Sequence, residues 1–181
     1  IKELNRGGFG IVYLVQEKAT KKLYAAKVNL IDLDDIDDYV KCVLREINIL
    51  AKASFPTVVG FRGFSLTDFV GIPNITILLD FLKRGSLVDV LKNEKGNKSF
   101  DATKRHIIIT GIAHGMMTLH SLNIIHRDLK PGNVLIDDDF YPHITDFGLS
   151  KVFDPSDPRQ QSTWGGTPLY EAPEIWLKDD Y

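Results

Sequence analysis

His126-Arg127-Asp128-Leu129-Lys130-Pro131-Gly132-Asn133 gathers an acid, two cations and an amide into eight residues, and Asp146-Phe147-Gly148 adds a carboxylate at a glycine turn thirteen residues after Asn133. An anionic Asp and an Asn oxygen are hard ligands of the kind Mg2+ accepts, an ion that takes few protein ligands and fills its shell with phosphate and water oxygens. Asp128 suits a hydrogen-bonding base, and Lys130 suits the offset of charge on a group in transfer. Upstream, the apolar strand pattern Ala25-Ala26-Lys27-Val28 aims Lys27 inward, where a lysine needs a counter-charge. Glu46, nineteen residues on among Leu44, Ile47 and Leu50, is the candidate, although a lone Lys and Glu at this spacing is as readily a structural pair. At the start of the chain, Asn5-Arg6-Gly7-Gly8-Phe9-Gly10 places a glycine-rich turn between two short strands. Glycines let backbone amides approach a phosphate, yet a glycine-rich hairpin is more often only a tight turn. It is no Walker loop, since no Gly-Lys-Ser/Thr follows, and the strand after it argues against a dinucleotide-binding turn. Polar loops capping helices would explain each segment singly; the set as a whole they do not explain.

The chain of 181 residues, with 44% apolar, 25% charged and 10% aromatic residues, has the profile of an ordinary soluble globular protein and excludes disordered, collagenous and disulfide-scaffold classes. One domain, in one or two lobes, is expected at this length. Lys plus Arg at 22 against Asp plus Glu at 24 leaves a net charge of -2, which argues against a nucleic-acid footprint or a membrane-surface module. The single Cys42 cannot form an internal disulfide and fits a reducing compartment, so a cytoplasmic protein is expected. No apolar run approaches the ~18 residues of a membrane helix, and Ile1 opens no signal-peptide pattern. The sequons at Asn74 and Asn97 are therefore read as chance matches.

Ile11 to Val15 and Leu23 to Val28 read as a hairpin turning near Glu17 to Thr20. Asp32, Asp34, Asp35, Asp37 and Asp38 precede Val40, Val43, Leu44, Ile47 and Leu50, an amphipathic helix with acids toward its N-terminus. A calcium loop is excluded there, because the required glycine and closing glutamate are Asp37 and Val43. Val58 to Leu66 and Ile75 to Leu79 read as strands, and helical character begins after Gly85. Asp101 is expected to cap a helix through Ile107, Ile108, Gly111, Ile112, Gly115, Met116 and Leu119, whose two glycines permit close packing. Short strands and loops follow Ile124. Strands followed by helices, with the changeover near Lys83 to Gly85, define an α+β chain.

The motifs together resemble a eukaryotic protein kinase domain, in order, from the glycine-rich loop to Ala172-Pro173-Glu174. The lysine of His-Arg-Asp-Leu-Lys-Pro-Gly-Asn and the stretch Gly166-Thr167-Pro168-Leu169-Tyr170 are similar to serine/threonine kinases. The wording of Asn123-Ile124-Ile125-His126 and Asp146-Phe147-Gly148-Leu149-Ser150-Lys151 resembles the tyrosine-kinase-like group. The resemblance implies a two-lobed fold, with an N-lobe and hinge over residues 1–82 and a partial C-lobe over 83–181. It implies transfer of the γ-phosphate of Mg-ATP to a protein Ser or Thr. In that scheme Asn5, Arg6, Gly7, Gly8, Phe9 and Gly10 form the ATP-covering loop, and Leu4, Val12, Ala25 and Leu135 sandwich adenine. Lys27, oriented by Glu46, holds the α- and β-phosphates; Asp80 to Leu82 form the hinge, whose backbone groups read the adenine edge, with the gatekeeper Leu79 behind it. Asp128 and Lys130 are catalytic, and Asn133 and Asp146 hold magnesium. Leu50, Phe61, His126 and Phe147 stack as a spine, which makes His126 a core residue, and the other four histidines are read the same way. Arg127 is expected to receive a phosphate placed on Ser162 or Thr163 by an upstream kinase or by the chain itself, while Thr167 contacts Asp128 and Lys130.

Three departures from the family pattern stand out. Asn5 replaces the first loop glycine, Phe55-Pro56 replaces the usual His-Pro, and Glu171 precedes Ala-Pro-Glu. Only seven residues follow Glu174, so the resemblance implies a truncated C-lobe with exposed apolar surface and no arginine partner for Glu174. The alternative reading is a non-catalytic nucleotide-binding scaffold; a small-molecule kinase is disfavoured by the Ala-Pro-Glu segment.

Overall fold

The continuous apolar run Ile11 to Val15 lies in strand β2 (Gly10–Gln16), which turns through residues 18–20 into β3 (Leu23–Val28). β1 (Lys2–Gly7) pairs with the outer side of β2, and β5 (Thr76–Asp80) lies between β3 and the edge strand β4 (Phe61–Ser65). The result is an antiparallel five-stranded sheet in the order β1-β2-β3-β5-β4. This computed structural model describes residues 1–7, 10–31, 36–98, 100–154, 156 and 166–177. Residues directly opposite in antiparallel strands share a face, so the register Asn5–Val12–Lys27–Ile77 runs across one side of the sheet.

Helix α1 (Ile36–Lys52) packs on the sheet through Val43, Glu46, Ile47, Ile49 and Leu50, with Asp37 and Asp38 in its first turn and Lys52 in its last, as the helix dipole favours. The acids Asp32, Asp34 and Asp35 lie outside the described residues. The strand expected from Val58 begins only at Phe61. Val58 instead makes a parallel bridge to Ile144 and Val59 donates to the Ile144 carbonyl at 2.9 Å, so these apolar residues fill core rather than extend the sheet.

Past the sheet come α2 (Leu87–Asn93) and α3 (Ala102–Ser121). Ser86 and Asp89 form a reciprocal capping box on α2, and Asp101 accepts from the Lys104 amide to cap α3. Short antiparallel pairs follow: β6 (Ile124–Ile125) with β9 (Lys151–Val152), and β7 (Val134–Ile136) with β8 (Pro142–Ile144). A short α4 (Pro173–Leu177) ends the described chain. The architecture is α+β, and one core joins its two parts: Leu50, Ile77 and Leu79 from the first pack in a cluster with Leu119, Ile124, Ile144 and Phe147 from the second. Among the described residues no helix is long and apolar enough to cross a membrane.

Gly111 and Gly115 let α3 lie against β8. A Cβ at Gly111 would stand 2.5 Å from Pro142 Cγ, and one at Gly115 would stand 2.7 Å from Ile144 Cδ1. Alanine in a helix gains about 1 kcal/mol over glycine, but overpacking against a rigid ring costs about 1–3 kcal/mol. Gly111→Ala is therefore expected to destabilise the chain, read as a lower urea midpoint; a raised midpoint would contradict the close approach.

Candidate active site

A cleft of about 660 Å³ opens between the sheet and the helical part. Leu4, Val12, Ala25, Leu79, Leu82 and Leu135 line its apolar side, Asn5, Gly7 and Gly10 its glycine-rich edge, and Lys27, Glu46, Asn133 and Asp146 its polar end. Gly10 is required at its position, since φ is +148° and a Cβ would stand 2.2 Å from the Val28 carbonyl oxygen. Gly8 and Phe9 lie outside the described residues.

Two of the residues expected at the ATP site turn their side chains to other partners. Arg6 alternates onto the opposite face of β1 from Asn5, and its guanidinium pairs with Glu3 at 2.8 and 3.1 Å instead of entering the cleft. Asp80 borders the cleft, but its carboxylate is bound by the Arg62 fork and lies 4.0 Å from Lys22.

Lys27 is the junction of the polar end. Its ammonium lies 2.7 and 2.9 Å from the two Glu46 oxygens and 3.0 Å from Asp146 Oδ1. Burial, the largest single influence, opposes its charge; Glu46 and Asp146 together outweigh it and push the Lys27 pKa up to about 12. The sheet supplies the lysine, α1 the glutamate, and the turn before Phe147 the aspartate.

Asp128 sits in a donor cage. Thr167 Oγ donates to Oδ1 at 2.6 Å, Asn133 Nδ2 donates to Oδ2 at 2.8 Å, and Lys130 Nζ lies 2.8 Å from Oδ2 while also donating to Thr167 Oγ at 2.6 Å. Burial would raise the Asp128 pKa, but the donors Lys130, Thr167 and Asn133 outweigh it and hold the carboxyl below the usual carboxylate range. Asn133 commits its amide nitrogen to Asp128, so its side-chain oxygen is the atom left for a cation. The Thr145 amide donates to the Asn133 carbonyl at 3.0 Å and so brings Asp146 beside Asn133. One amide oxygen and one carboxylate, both hard, fit the sparse protein ligation of Mg2+. Among the described residues no cluster of three or more His, Cys, Asp or Glu offers a different metal site.

Backbone conformation sets the aim of both loops. Arg127 and Asp146 hold φ of 65°, a left-handed conformation that costs a non-glycine residue on the order of 1–3 kcal/mol. Arg127 Nε donates to the Leu149 carbonyl at 2.6 Å, tying the loop that carries Asp128 to the segment after Gly148. Ser162 and Thr163, the expected phosphate carriers, lie outside the described residues.

His126 is 1% exposed and its ring centroid lies 5.1 Å from that of Phe147; Leu50 and Phe147 share the core cluster against which Phe61 packs. Its Nδ1 accepts from the Asp128 amide at 3.2 Å and its Nε2 faces the Thr145 carbonyl at 3.0 Å, which requires the neutral Nε2–H ring. Burial pushes its pKa down. The unfolded chain therefore binds a proton that the fold excludes, so this stability is present above about pH 6.5 and is lost as pH falls below it. Urea midpoints measured from about pH 8 to about pH 5 should decline on the acid side, and His126→Phe should flatten that decline; an unaltered slope would remove His126 as its source. The other histidines depart from expectation: His106, His114 and His120 are exposed on α3, and half-buried His143 lies 3.2 Å from Asp137.

Sequence reasoning missed Ser86, Val88 and Asp89, which line the cleft beyond Leu82. The Ser-x-x-Asp spacing ahead of an apolar run is the capping-box signal that would have located this helix start.

The polar end of the cleft thus carries a buried lysine between two carboxylates, beside a caged aspartate. The protein kinase domain model matches residues 1–181, and the chain belongs to that family. It is 39% identical over 179 residues to serine/threonine-protein kinase sgk-1 of Caenorhabditis elegans, covering 98% of this chain and 37% of that protein. It is 40% identical over 153 residues to the probable serine/threonine protein kinase IRE of Arabidopsis thaliana, covering 84% and 12%. A receptor-like protein kinase of Ipomoea nil is 35% identical over 178 residues, covering 94% and 15%. The chain thus spans well under half the length of each of these relatives.

Proposed function

We propose that this chain transfers the γ-phosphoryl group of Mg-ATP to a serine or threonine hydroxyl of a protein. The observation that carries the reading is the Thr167 hydroxyl bound between Asp128 Oδ1 and Lys130 Nζ, each at 2.6 Å: the two groups can hold an alcohol oxygen beside the cleft's polar end. Adenine lies between Leu4, Val12, Ala25 and Leu135, with backbone groups of the Asp80–Leu82 stretch at its edge, and the loop at Asn5, Gly7 and Gly10 covers the phosphates. Lys27, steadied by Glu46, pairs with the α- and β-phosphates. Asp128 orients the substrate hydroxyl and takes its proton as the new O–P bond forms and the bond to the β-phosphate oxygen breaks. Lys130 offsets charge on the transferring group. Asn133 and Asp146 would hold the magnesium, which supplies charge neutralisation on the phosphates.

In this reading residues 1–82 form the nucleotide-side lobe and hinge, and residues 83–181 carry the catalytic loop and activation segment. The net charge of -2 gives no reason to invoke a nucleic-acid partner. The reduced, ATP-rich cytoplasm suits both the reaction and the free thiol of Cys42. An upstream kinase, or a second copy of the chain, places phosphate on Ser162 or Thr163 for Arg127 to bind. Converting both residues to alanine should then remove the gain in activity produced by prior phosphorylation; full activity of that double variant without phosphorylation would sink this regulatory assignment.

The deciding experiment is phosphate transfer from Mg-ATP to a generic Ser/Thr protein, with identification of the phosphoamino acid. Phosphoserine or phosphothreonine that disappears with Asp128→Asn supports the kinase reading. Nucleotide binding without transfer, in a cooperatively folded chain, would favour a non-catalytic module.

A further inference from the structure

The antiparallel register of β3 and β5 ends at Val28–Thr76, and the next rung would pair Asn29 with Ile75. Half of that rung is ordinary, since the Asn29 amide donates to the Ile75 carbonyl at 3.0 Å and the Asn29 side chain donates to the same oxygen at 3.0 Å. The reciprocal bond, from the Ile75 amide to the Asn29 carbonyl, is replaced by a side chain of α1. The Ile75 amide donates to the Tyr39 hydroxyl at 3.3 Å, and that hydroxyl donates to the Asn29 carbonyl at 2.8 Å. One oxygen, accepting and donating at once, is spliced into the ladder in place of a backbone bond.

Tyr39 stands seven residues before Glu46. Seven residues of α-helix return to within about 20° of the same direction after a rise of about 10 Å. One face of α1 therefore makes two directional ties to the sheet, Tyr39 on the Asn29–Ile75 rung and Glu46 on Lys27. The apolar contacts of Val43, Ile47 and Leu50 between and beyond them are non-directional and tolerate small rotations or slides of the helix.

We propose that Tyr39 is a positioning residue, whose spliced hydroxyl sets the rotation and height of α1 so that Glu46 meets Lys27. Its catalytic consequence rests on the kinase reading above; the placement of the helix does not. Loss of the hydroxyl leaves the Ile75 amide and the Asn29 carbonyl without their link and shifts α1 toward arrangements in which Glu46 and Lys27 part.

Tyr39→Phe is the test, with Tyr13→Phe as a control that removes a hydroxyl elsewhere in the same sheet. Acetic anhydride labelling read by mass spectrometry reports the accessibility of the Lys27 amine, hydrogen exchange reports the Ile75 and α1 amides, and steady-state kinetics report kcat and KM for ATP. In Tyr39→Phe, Lys27 labelling and exchange of the α1 amides should rise about 2- to 10-fold, the population shift that one neutral hydrogen bond controls. Turnover should fall by a similar factor with a smaller change in KM, and Tyr13→Phe should change none of these. Labelling and α1 exchange equal to the unsubstituted chain would overturn the proposal, as would equal increases in Tyr13→Phe. Should Tyr39→Phe fail to fold, native-state exchange of the unsubstituted chain decides: the Ile75 and Tyr39–Glu46 amides must open together, and independent opening overturns the proposal. A chain that transfers no phosphate yet loses Lys27 protection in Tyr39→Phe would retain Tyr39 as the anchor of α1 and remove the kinase reading alone.

Discussion

Asp128→Asn is expected to cut phosphate transfer by a factor of about 10²–10⁴, the range a positioned proton acceptor contributes, while Mg-ATP affinity stays within a few-fold. The geometry makes the substitution doubly damaging. An amide cannot accept the substrate proton, and both carboxylate oxygens of Asp128 now accept, Oδ1 from Thr167 and Oδ2 from Asn133 and Lys130. An NH2 group at the Oδ2 position would face the donors of Asn133 and Lys130, and one at the Oδ1 position requires the Thr167 hydroxyl to turn and accept, so the cage loosens as well as losing its base. In the proposed reading nucleotide affinity is spared because Leu4, Val12, Ala25, Leu135, Lys27 and the glycine-rich loop, rather than Asp128, hold adenine and the phosphates. Titrating a fluorescent ATP analogue alongside the transfer assay separates the two effects. Unchanged turnover would remove Asp128 from its role.

Lys27→Met is expected to act on both stability and turnover. Glu46, with a side chain 3% exposed, and Asp146, at 34%, lose their shared cation. Breaking a buried pair by removing one partner costs about 3–5 kcal/mol. Productive phosphate placement is lost as well. Urea midpoints of both chains test the first effect, and ATP-dependent transfer tests the second. An unchanged midpoint, or normal transfer by the variant, would contradict the junction role assigned to Lys27.

What the sequence disclosed is what local patterns carry. An inward lysine in an apolar strand, a glutamate on the following helix and an Asp–Lys–Asn loop could be read because each residue sits inside a periodic or turn-forming context that fixes its direction. The hairpin of β2 and β3 and the capped α3 were legible for the same reason. The rest depended on partners remote in the chain. Apolar Val58 and Val59 look like strand but pack against Ile144, eighty-six residues from Val58 by number. Arg62 claims the Asp80 carboxylate across two strands, and a bulge between Glu3 and Asn5 settles which β1 side chains face the cleft. The histidines were misjudged because His106, His114 and His120 lie off the apolar stripe of α3, a point its helical spacing already contained. Tyr39 was unreadable: its role exists only because β3 and β5 stop where α1 passes.

The Lys27 junction also has a history within the life of each molecule. Its two counter-charges are nineteen and 119 residues away along the chain. During synthesis, Glu46 is available roughly one hundred residues (146 − 46) before Asp146. At about 5–20 residues per second, a ribosome leaves Lys27 with only its first partner for about 5–20 seconds. The growing polypeptide thus has the means to assemble its sheet and helix α1 around one ion pair well before the second carboxylate exists, and the junction closes late, when the newly made turn at Asp146 reaches the waiting amine.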